Sequence, residues 1–389
     1  MERTPRELTK ASLRGRRFHF AGSADPEVNR DTLKYAHKMI YQLAVRALSE
    51  GAGLVVTVGS DPAHKSGENL SVIFDWSILE AVDRFRNSGI QNWPKAQGTP
   101  VVAVGFGNWN ERIPNRRRNM WDRIAASGKL ELRVIPSELS VGGVLREQQE
   151  IFGDILVTLG GGPGVYHLAE LYRRSRKSVI PLDISLKKEK PSASETLFAH
   201  ATKDPQSFFE YEPAQEALAK FSRFSFRHGL LKIDEFEQRL FDFVYHLPRP
   251  TAFYVRLLNH RIPQYKSVET YFRNVADPVV ESSGYRRFEM GTDASTEAFM
   301  NVETFKKLHY SSLVIADLTC IRPNCCIELG YSLGLHKRVI LTARDDTKLP
   351  WDAASIRCHF WSSKESDEKR KIKLRNFMKR NINKQSVVS

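Results

Sequence analysis

The run Ile315–Lys337, IADLTCIRPNCCIELGYSLGLHK, places an aspartate and a glutamate in one strand–loop–helix unit. Carboxylates so placed lie at the carboxyl edge of an open sheet, where ligands bind in doubly wound folds. Asp317 closes the apolar strand Ser312–Asp317, a short loop reaches Pro323, and Asn324 is expected to cap a helix that runs to Leu335. Glu328 then falls in or near the first turn, where the dipole favours its ionised form. Ile327, Tyr331 and Leu335 are expected to face the sheet, with Glu328 and Ser332 at the rim of that stripe. Gly330 and Gly334 would leave room for close packing or a ligand. The plainer alternatives are a glutamate that only satisfies the dipole, worth about 0.3–1 kcal/mol, and an Asp317 that caps its loop. Cys325 and Cys326 point in different directions on a helix and have no CxxC or histidine partner at ligand spacing, so no metal is expected.

A second cluster is Ile155–Leu168, ILVTLGGGPGVYHL. A strand that runs into glycines and then a helix can cradle a phosphate, because bare backbone and a helix N-terminus approach the anion. The candidate binding positions are Gly160, Gly161, Gly162, Gly164 and Val165, with Gly22-Ser23 and Gly59-Ser60 at neighbouring strand ends. Tight turns use glycine too. Arg116-Arg117-Arg118 could contact phosphates, against the alternative of a solvated basic loop.

These groups need a scaffold, and the hydrophobic pattern supplies one. Strands are expected at Arg17–Ala21, Leu54–Gly59, Val101–Gly105, Ile155–Leu159 and Ser178–Leu182, with helices at Thr32–Glu50, Phe74–Arg84 and Val165–Arg174. Strands alternating with helices imply a parallel sheet covered on both faces. Lys187–Ser194 has linker composition, and Glu212–Val244 is largely helical. Leu247–Pro250 marks a boundary. A second α/β series follows, with strands at Ala252–Leu258, Tyr285–Phe288, Ser312–Asp317, Arg338–Thr342 and Ile356–Trp361, and helices at Val268–Ser282, Met300–Leu308 and Asn324–Leu335. The expected fold is α/β: two Rossmann/flavodoxin-like three-layer domains with mainly parallel sheets. Their expected boundaries are residues 1–184 and 251–362, joined by a helical connector at 185–250 and followed by a basic tail at 363–389.

The residues Ala316-Asp317-Leu318-Thr319, Pro323-Asn324, Glu328-Leu329-Gly330, Leu333-Gly334 and Lys337 resemble the TIR-like and nucleoside 2-deoxyribosyltransferase-like fold. Leu349-Pro350-Trp351-Asp352 is similar to that group's LPFD segment. The resemblance covers roughly residues 250–362. It implies that Glu328 is the catalytic carboxylate at C1′, with Asp317, Thr319, Asn324, Gly330 and Ser332 around the substrate. Arg256-Leu257-Leu258 departs from the group's MPF strand end. The first half is similar to a SLOG domain, the Rossmann-like superfamily of the cytokinin-activating phosphoribohydrolases. Their PGGxGTxxE motif reads here Gly160-Gly161-Gly162-Pro163-Gly164-Val165-Tyr166-His167-Leu168. Val165 stands for the threonine and Leu168 for the glutamate, so that resemblance implies a surviving phosphate cradle without the hydrolytic carboxylate. SLOG domains coupled to TIR or sirtuin domains resemble bacterial anti-phage effectors that degrade NAD.

Composition bounds the rest. The 389 residues are 41% hydrophobic and 27% charged, which is ordinary for globular domains. No apolar run approaches the ~20 residues that cross a bilayer, and no apolar stretch follows the basic N-terminus to make a secretory signal. Four cysteines clustered in the last 70 residues do not make a disulfide framework. A cytoplasmic location without a membrane partner is therefore expected. The net charge of +14 attracts polyanions, but no aromatic–basic interleaving or recognition motif supports nucleic-acid binding.

The leading expectation is a nucleotide-gated NAD nucleosidase: the N-terminal domain senses a signal nucleotide, and the C-terminal domain hydrolyses NAD or a related nucleotide as substrate, with no cofactor. By analogy it forms a homo-oligomer. The alternatives are a nucleoside N-deoxyribosyltransferase or N-glycosidase that uses the same Glu328, and a non-catalytic nucleotide-binding adaptor.

Overall fold

The computed structural model describes residues 13–66, 70–87, 90, 93–136, 142–188, 190–223, 225–226, 229–288, 297–349 and 356–383. The LPFD-like residues Pro350, Trp351 and Asp352 and the basic residues of the extreme termini lie outside these. The chain forms two compact units, Met1–Trp93 with Thr99–Pro248, and Pro94–Gly98 with Arg249–Ser389. Both are α/β with parallel sheets.

Unit 1 holds six strands: β1 (Arg17–Ser23), β2 (Gly53–Thr57), β3 (Val101–Phe106), β4 (Leu130–Ile135), β5 (Ile155–Gly160) and β6 (Ser178–Leu182). Their spatial order is β4-β3-β2-β1-β5-β6, and every pairing is parallel. The order reverses between β1 and β5, which makes their carboxyl ends the switch point of the sheet. Helices α1 (Arg30–Ser49), α2 (Asp75–Arg84), α3 (Asn115–Ala126), α4 (Gly142–Phe152) and α5 (Pro163–Arg174) cover the two faces. Adjacent strand residues serve opposite layers: Leu54 and Val56 join the large core with α1 and α2, while Val55 packs with Val102, Val104 and Phe152 of α4. The apolar runs thus mark strands buried on both faces.

Three of these elements escape the hydrophobic pattern. Strand β4 is an edge strand and reads LELRVI, with only Ile135 buried. Helix α3 carries NRRRN in its first turns and buries only Trp121 and Ile124. Helix α4 likewise buries little, only Gln149 and Phe152. The stretch of linker composition contains a helix start: Ser192 caps α6 (Ala193–Lys203) through a capping box with Glu195. With α7 (Glu212–Phe221) and α8 (Ile233–Val244), α6 packs Leu197, Leu218, Phe236 and Leu240 into the first unit's core. Residues 185–248 therefore fold as part of unit 1.

Unit 2 contains β7 (Thr251–Val255), β8 (Arg286–Arg287), β9 (Leu313–Asp317), β10 (Val339–Arg344) and β11 (Cys358–Trp361), in the order β11-β10-β9-β7-β8 and all parallel. This is the flavodoxin-type order, and its switch point lies between β7 and β9. Helix α9 runs through Tyr265–Tyr271, a π turn at Phe272–Ala276 and Asp277–Ser282. It shares one face of the sheet with α12 (Asp367–Asn381), over Leu313, Ile315, Ile340 and Trp361. Val314, Ala316 and Leu341 face the other way, toward α10 (Glu297–Tyr310) and α11 (Pro323–Gly334). The segment Pro94–Gly98 belongs to this unit. Buried Gln97 donates to the Ser283 carbonyl (3.0 Å) and accepts from the Tyr285 hydroxyl (3.1 Å). No described helix is long and apolar enough to cross a membrane.

Candidate functional site

Asp317 ends β9 at the switch-point edge of the second sheet and is 1% exposed. Its Oδ1 accepts the Thr319 amide (3.0 Å), and its Oδ2 accepts the Thr342 hydroxyl (2.8 Å) and the Trp361 indole N–H (2.9 Å). One carboxylate thus ties β9 to β10 and β11. Burial raises its pKa, and these hydrogen bonds oppose the rise. Thr319 is also spent, because its hydroxyl oxygen accepts the Arg344 amide (2.9 Å). Asp317 and Thr319 act as a clasp that fixes the loop leading to α11. Cys320 and Ile321 in that loop take left-handed backbone, with φ 69° and 37°.

Helix α11 starts one residue earlier than the sequence suggests, and Arg322 is its N-cap. Proline tolerates the first helical position because no amide is needed there. Asn324 therefore lies inside the first turn, exposed, rather than at the cap. Glu328 is the sixth helical residue, about 7.5 Å of rise beyond Pro323, and so lies past the turn where the dipole acts most strongly. Burial pushes its carboxyl up to about 7, against the pull of the Arg322 charge. Among the described residues the Glu328 carboxyl has no hydrogen-bond or ion-pair partner. A half-buried, unpartnered acid that titrates near neutrality suits acid–base or charge-stabilising work.

The face that packs on the sheet is also different from the expected one. Cys325, Leu329 and Ser332 are buried, whereas Ile327 is 60% and Tyr331 36% exposed. Ser332 donates to the Glu328 carbonyl (2.7 Å) and is fully buried, so its hydroxyl faces the helix backbone. A Cβ at Gly330 or Gly334 would meet nothing within 4 Å, so both glycines face open space rather than a tight contact. Burial pushes the Cys325 thiol up to about 12. The structure brings Asn324 and Glu328 onto one helical face, four residues apart, and gathers Asp317 and Thr319 in the clasp.

In unit 1 the glycines divide by role. A Cβ on Gly22 would lie 1.8 Å from the Leu159 carbonyl oxygen, and one on Gly160 would lie 2.3 Å from that of Ser23. These residues are glycine because β1 and β5 approach closely. Gly160 and Gly161 also have φ of 61° and 75°. The Gly161 amide donates to Ser23 O (2.7 Å), and Leu186 packs over Gly160. Ser23 and Leu186 therefore crowd the glycine turn at the switch point. Gly22→Ala is expected to cost about 3 kcal/mol, the upper range for overpacking, read as a lower urea midpoint. An unchanged midpoint would mean that β1 and β5 do not touch there.

Gly59 adopts φ 155°, where a Cβ would meet only Arg112 Cβ at 4.0 Å, and Ser60 is exposed, its carbonyl taking the Trp76 indole N–H (3.3 Å). Val165 packs its side chain on Gly161. Gly162 and Gly164 open the N-terminus of α5, which has no side-chain cap. The arginine run is not a loop but the start of α3. Arg116 and Arg117 both grip Asp61, at 2.8 and 2.9 Å, Arg117 also pairs with Glu80 (2.6 Å), and Arg118 bonds Asn110 (2.5 Å). Burial alone would raise the Asp61 carboxyl, but hydrogen bonds from Ser71, Arg117 and Arg116 hold it below the ordinary value. These guanidinium groups are occupied within the fold.

Sequence reading also missed a cleft of about 540 Å³ beside α5, lined by Tyr166, His167, Arg174, Lys187 and Thr196 among others. Lys187 lies in the stretch of linker composition and Thr196 just past it in α6, and no motif there signals the cleft.

Comparison with known proteins bears on unit 1. The family model described as "ATP nucleosidase Cap17-like, N-terminal" matches residues 13–244. The protein "ATP nucleosidase Cap17" of Escherichia coli strain KTE188 is 25% identical over 167 residues, covering 43% of this chain and 32% of that protein. A second Escherichia coli protein of the same name gives the same figures. The chain thus aligns with about a third of the length of these relatives. Because a single family model accounts for more than half of the chain, including the whole six-stranded sheet and helices α6 to α8, the protein belongs to the Cap17-like family through that group's N-terminal region.

Proposed function

We propose that this protein is a nucleotide N-glycosidase in which unit 2 cleaves the base–sugar bond of NAD or a related nucleotide, and unit 1 binds a nucleotide that controls it. The observation that carries the reading is Glu328: a half-buried carboxyl, pushed up to about 7 by burial, beside the edge of a parallel sheet where ligands bind. In the reaction, the C1′–N bond breaks with its electron pair leaving on the base. The ionised Glu328 carboxylate stabilises or traps the positive sugar, and water then supplies the new C1′–O bond, its released proton passing to the departed base or to solvent. The Asp317 clasp orders the loop that carries α11 into place. The kinship to proteins named ATP nucleosidase supports an N-glycosidic reaction and adds ATP to the substrates worth testing. That kinship runs through unit 1, so adenine release from ATP is the second reading. By resemblance, a role as a nucleotide-depleting effector in anti-phage defence, acting as an oligomer, fits either substrate.

The test is chromatographic detection of free base from NAD, ATP and deoxynucleosides, with and without cyclic and ADP-ribose-type nucleotides. Nicotinamide or adenine release that depends on an added nucleotide supports the proposal. Release that is accelerated by a free acceptor base, with the sugar recovered on that base, would instead assign a transferase. If no base is freed under any condition, the protein is a binding adaptor.

A further inference from the structure

We infer that the nucleotide site of unit 1 is the cleft lined by α5 together with Lys187, Pro191 and Thr196, and that it takes a nucleotide carrying a diphosphate or longer phosphate chain. The inference rests on the reading that unit 1 binds a nucleotide, and it moves the site away from the sheet's switch point. There Ser23 and Leu186 crowd Gly160, whereas the cleft is open and about 540 Å³, within the usual range for a small-molecule site.

Its chemistry selects an anion. The uncapped N-terminus of α5 opens beside it at Gly162 and Gly164. Lys187 Nζ comes within 3.9 Å of where a Gly162 Cβ would lie, and an Arg146 Nη within 2.9 Å of where a Gly164 Cβ would lie. Both cations thus stand close to the helix end. Arg146 donates through Nε to His167 Nδ1 (3.0 Å), which leaves the ring proton on Nε2 as a further donor. Arg174 lines the other end of the cleft, two turns along the same face of the helix. Among the described residues neither Lys187 nor Arg174 has an acidic partner. Glu170, the carboxylate in the lining, is paired with Arg173 (2.5 Å). Tyr166, 36% exposed, offers a ring on which a base can stack. Cations at both ends with an aromatic ring between them match a phosphate chain at the helix N-terminus and a base along the helix.

The experiment is fluorescence anisotropy of mant-ATP on the full chain, with ATP, ADP-ribose and inorganic pyrophosphate as competitors. Lys187→Glu with Arg174→Glu should weaken binding by about tenfold or more per cation lost. Arg118→Glu, a charge reversal outside the cleft, should change it less than about twofold, the scale of exposed ion pairs. Displacement by ATP alone assigns a nucleoside triphosphate, and displacement by ADP-ribose a dinucleotide-derived ligand. If the parent binds and the double variant, folded by circular dichroism, binds as tightly, the probe sits elsewhere and this location is wrong. If the parent binds none of the probes, both readings fall.

Discussion

Glu328→Gln is expected to lower base release on the order of 10³-fold, the scale of losing one charge-stabilising group at a developing ionic centre, while leaving nucleotide binding by unit 1 intact. The same substitution should make the fold more stable at pH 8. The Glu328 carboxyl has an ordinary value of 4.5 and is raised to about 7 in the folded chain. Above pH 4.5 the unfolded chain releases this proton while the folded chain retains it, so stability is lost as pH rises from 4.5 and the loss is complete above about 7. Glutamine carries no such penalty. The melting temperature of the variant should therefore exceed that of the parent at pH 8 and match it near pH 4. A rate profile provides the companion test. If the ionised carboxylate acts at C1′, kcat/KM climbs with pH and levels off above about 7. A profile that instead falls above 7 would mean that Glu328 donates a proton to the leaving base. A fully active Glu328→Gln variant would remove the carboxylate from the mechanism altogether.

Asp317→Ala should be the most destabilising single change in unit 2. It strands three buried donors, the Thr319 amide, the Thr342 hydroxyl and the Trp361 indole N–H. At about 1–3 kcal/mol for each unsatisfied group, with partial relaxation, the loss is roughly 3–5 kcal/mol. Trp361 stacks on Tyr271 with ring centroids 4.3 Å apart and planes 4° apart, so the change should also alter tryptophan emission. Asp317→Asn keeps the shape but turns an N–H toward donors, and should fall between the parent and the alanine variant. Equilibrium urea unfolding followed by emission distinguishes the possibilities. An Asp317→Ala protein as stable as its parent but unable to bind substrate would assign this carboxylate to the ligand instead of the clasp.

Much of this organisation is legible in the sequence because the strands are short apolar runs. LVVTV, VVAVG and SLVIAD have to be buried on both faces, which only a covered parallel sheet allows. Elements with little to bury left a weak trace: edge strand β4, arginine-rich α3, and α6 behind a lysine-rich stretch. The family kinship, too, runs through unit 1, whereas the glutamate that suggested an N-glycosidic reaction sits in unit 2.

The sequence by itself determined that there are two α/β units, that strands end in Asp317 and in a glycine run, and that a helix carrying Glu328 follows the first of these. Local patterning is enough for that, since burial and turn formation depend on near neighbours in the chain. Only the tertiary structure decided what each polar group is free to do. Gly22 and Gly160 are shaped by the opposing strand, Arg116 and Arg117 are held by Asp61, some 55 residues away, and Lys187 approaches the glycine loop from beyond β6. Whether a charge is neutralised, or a glycine needed for packing, depends on which distant atoms arrive beside it, and that is fixed by topology rather than by spacing.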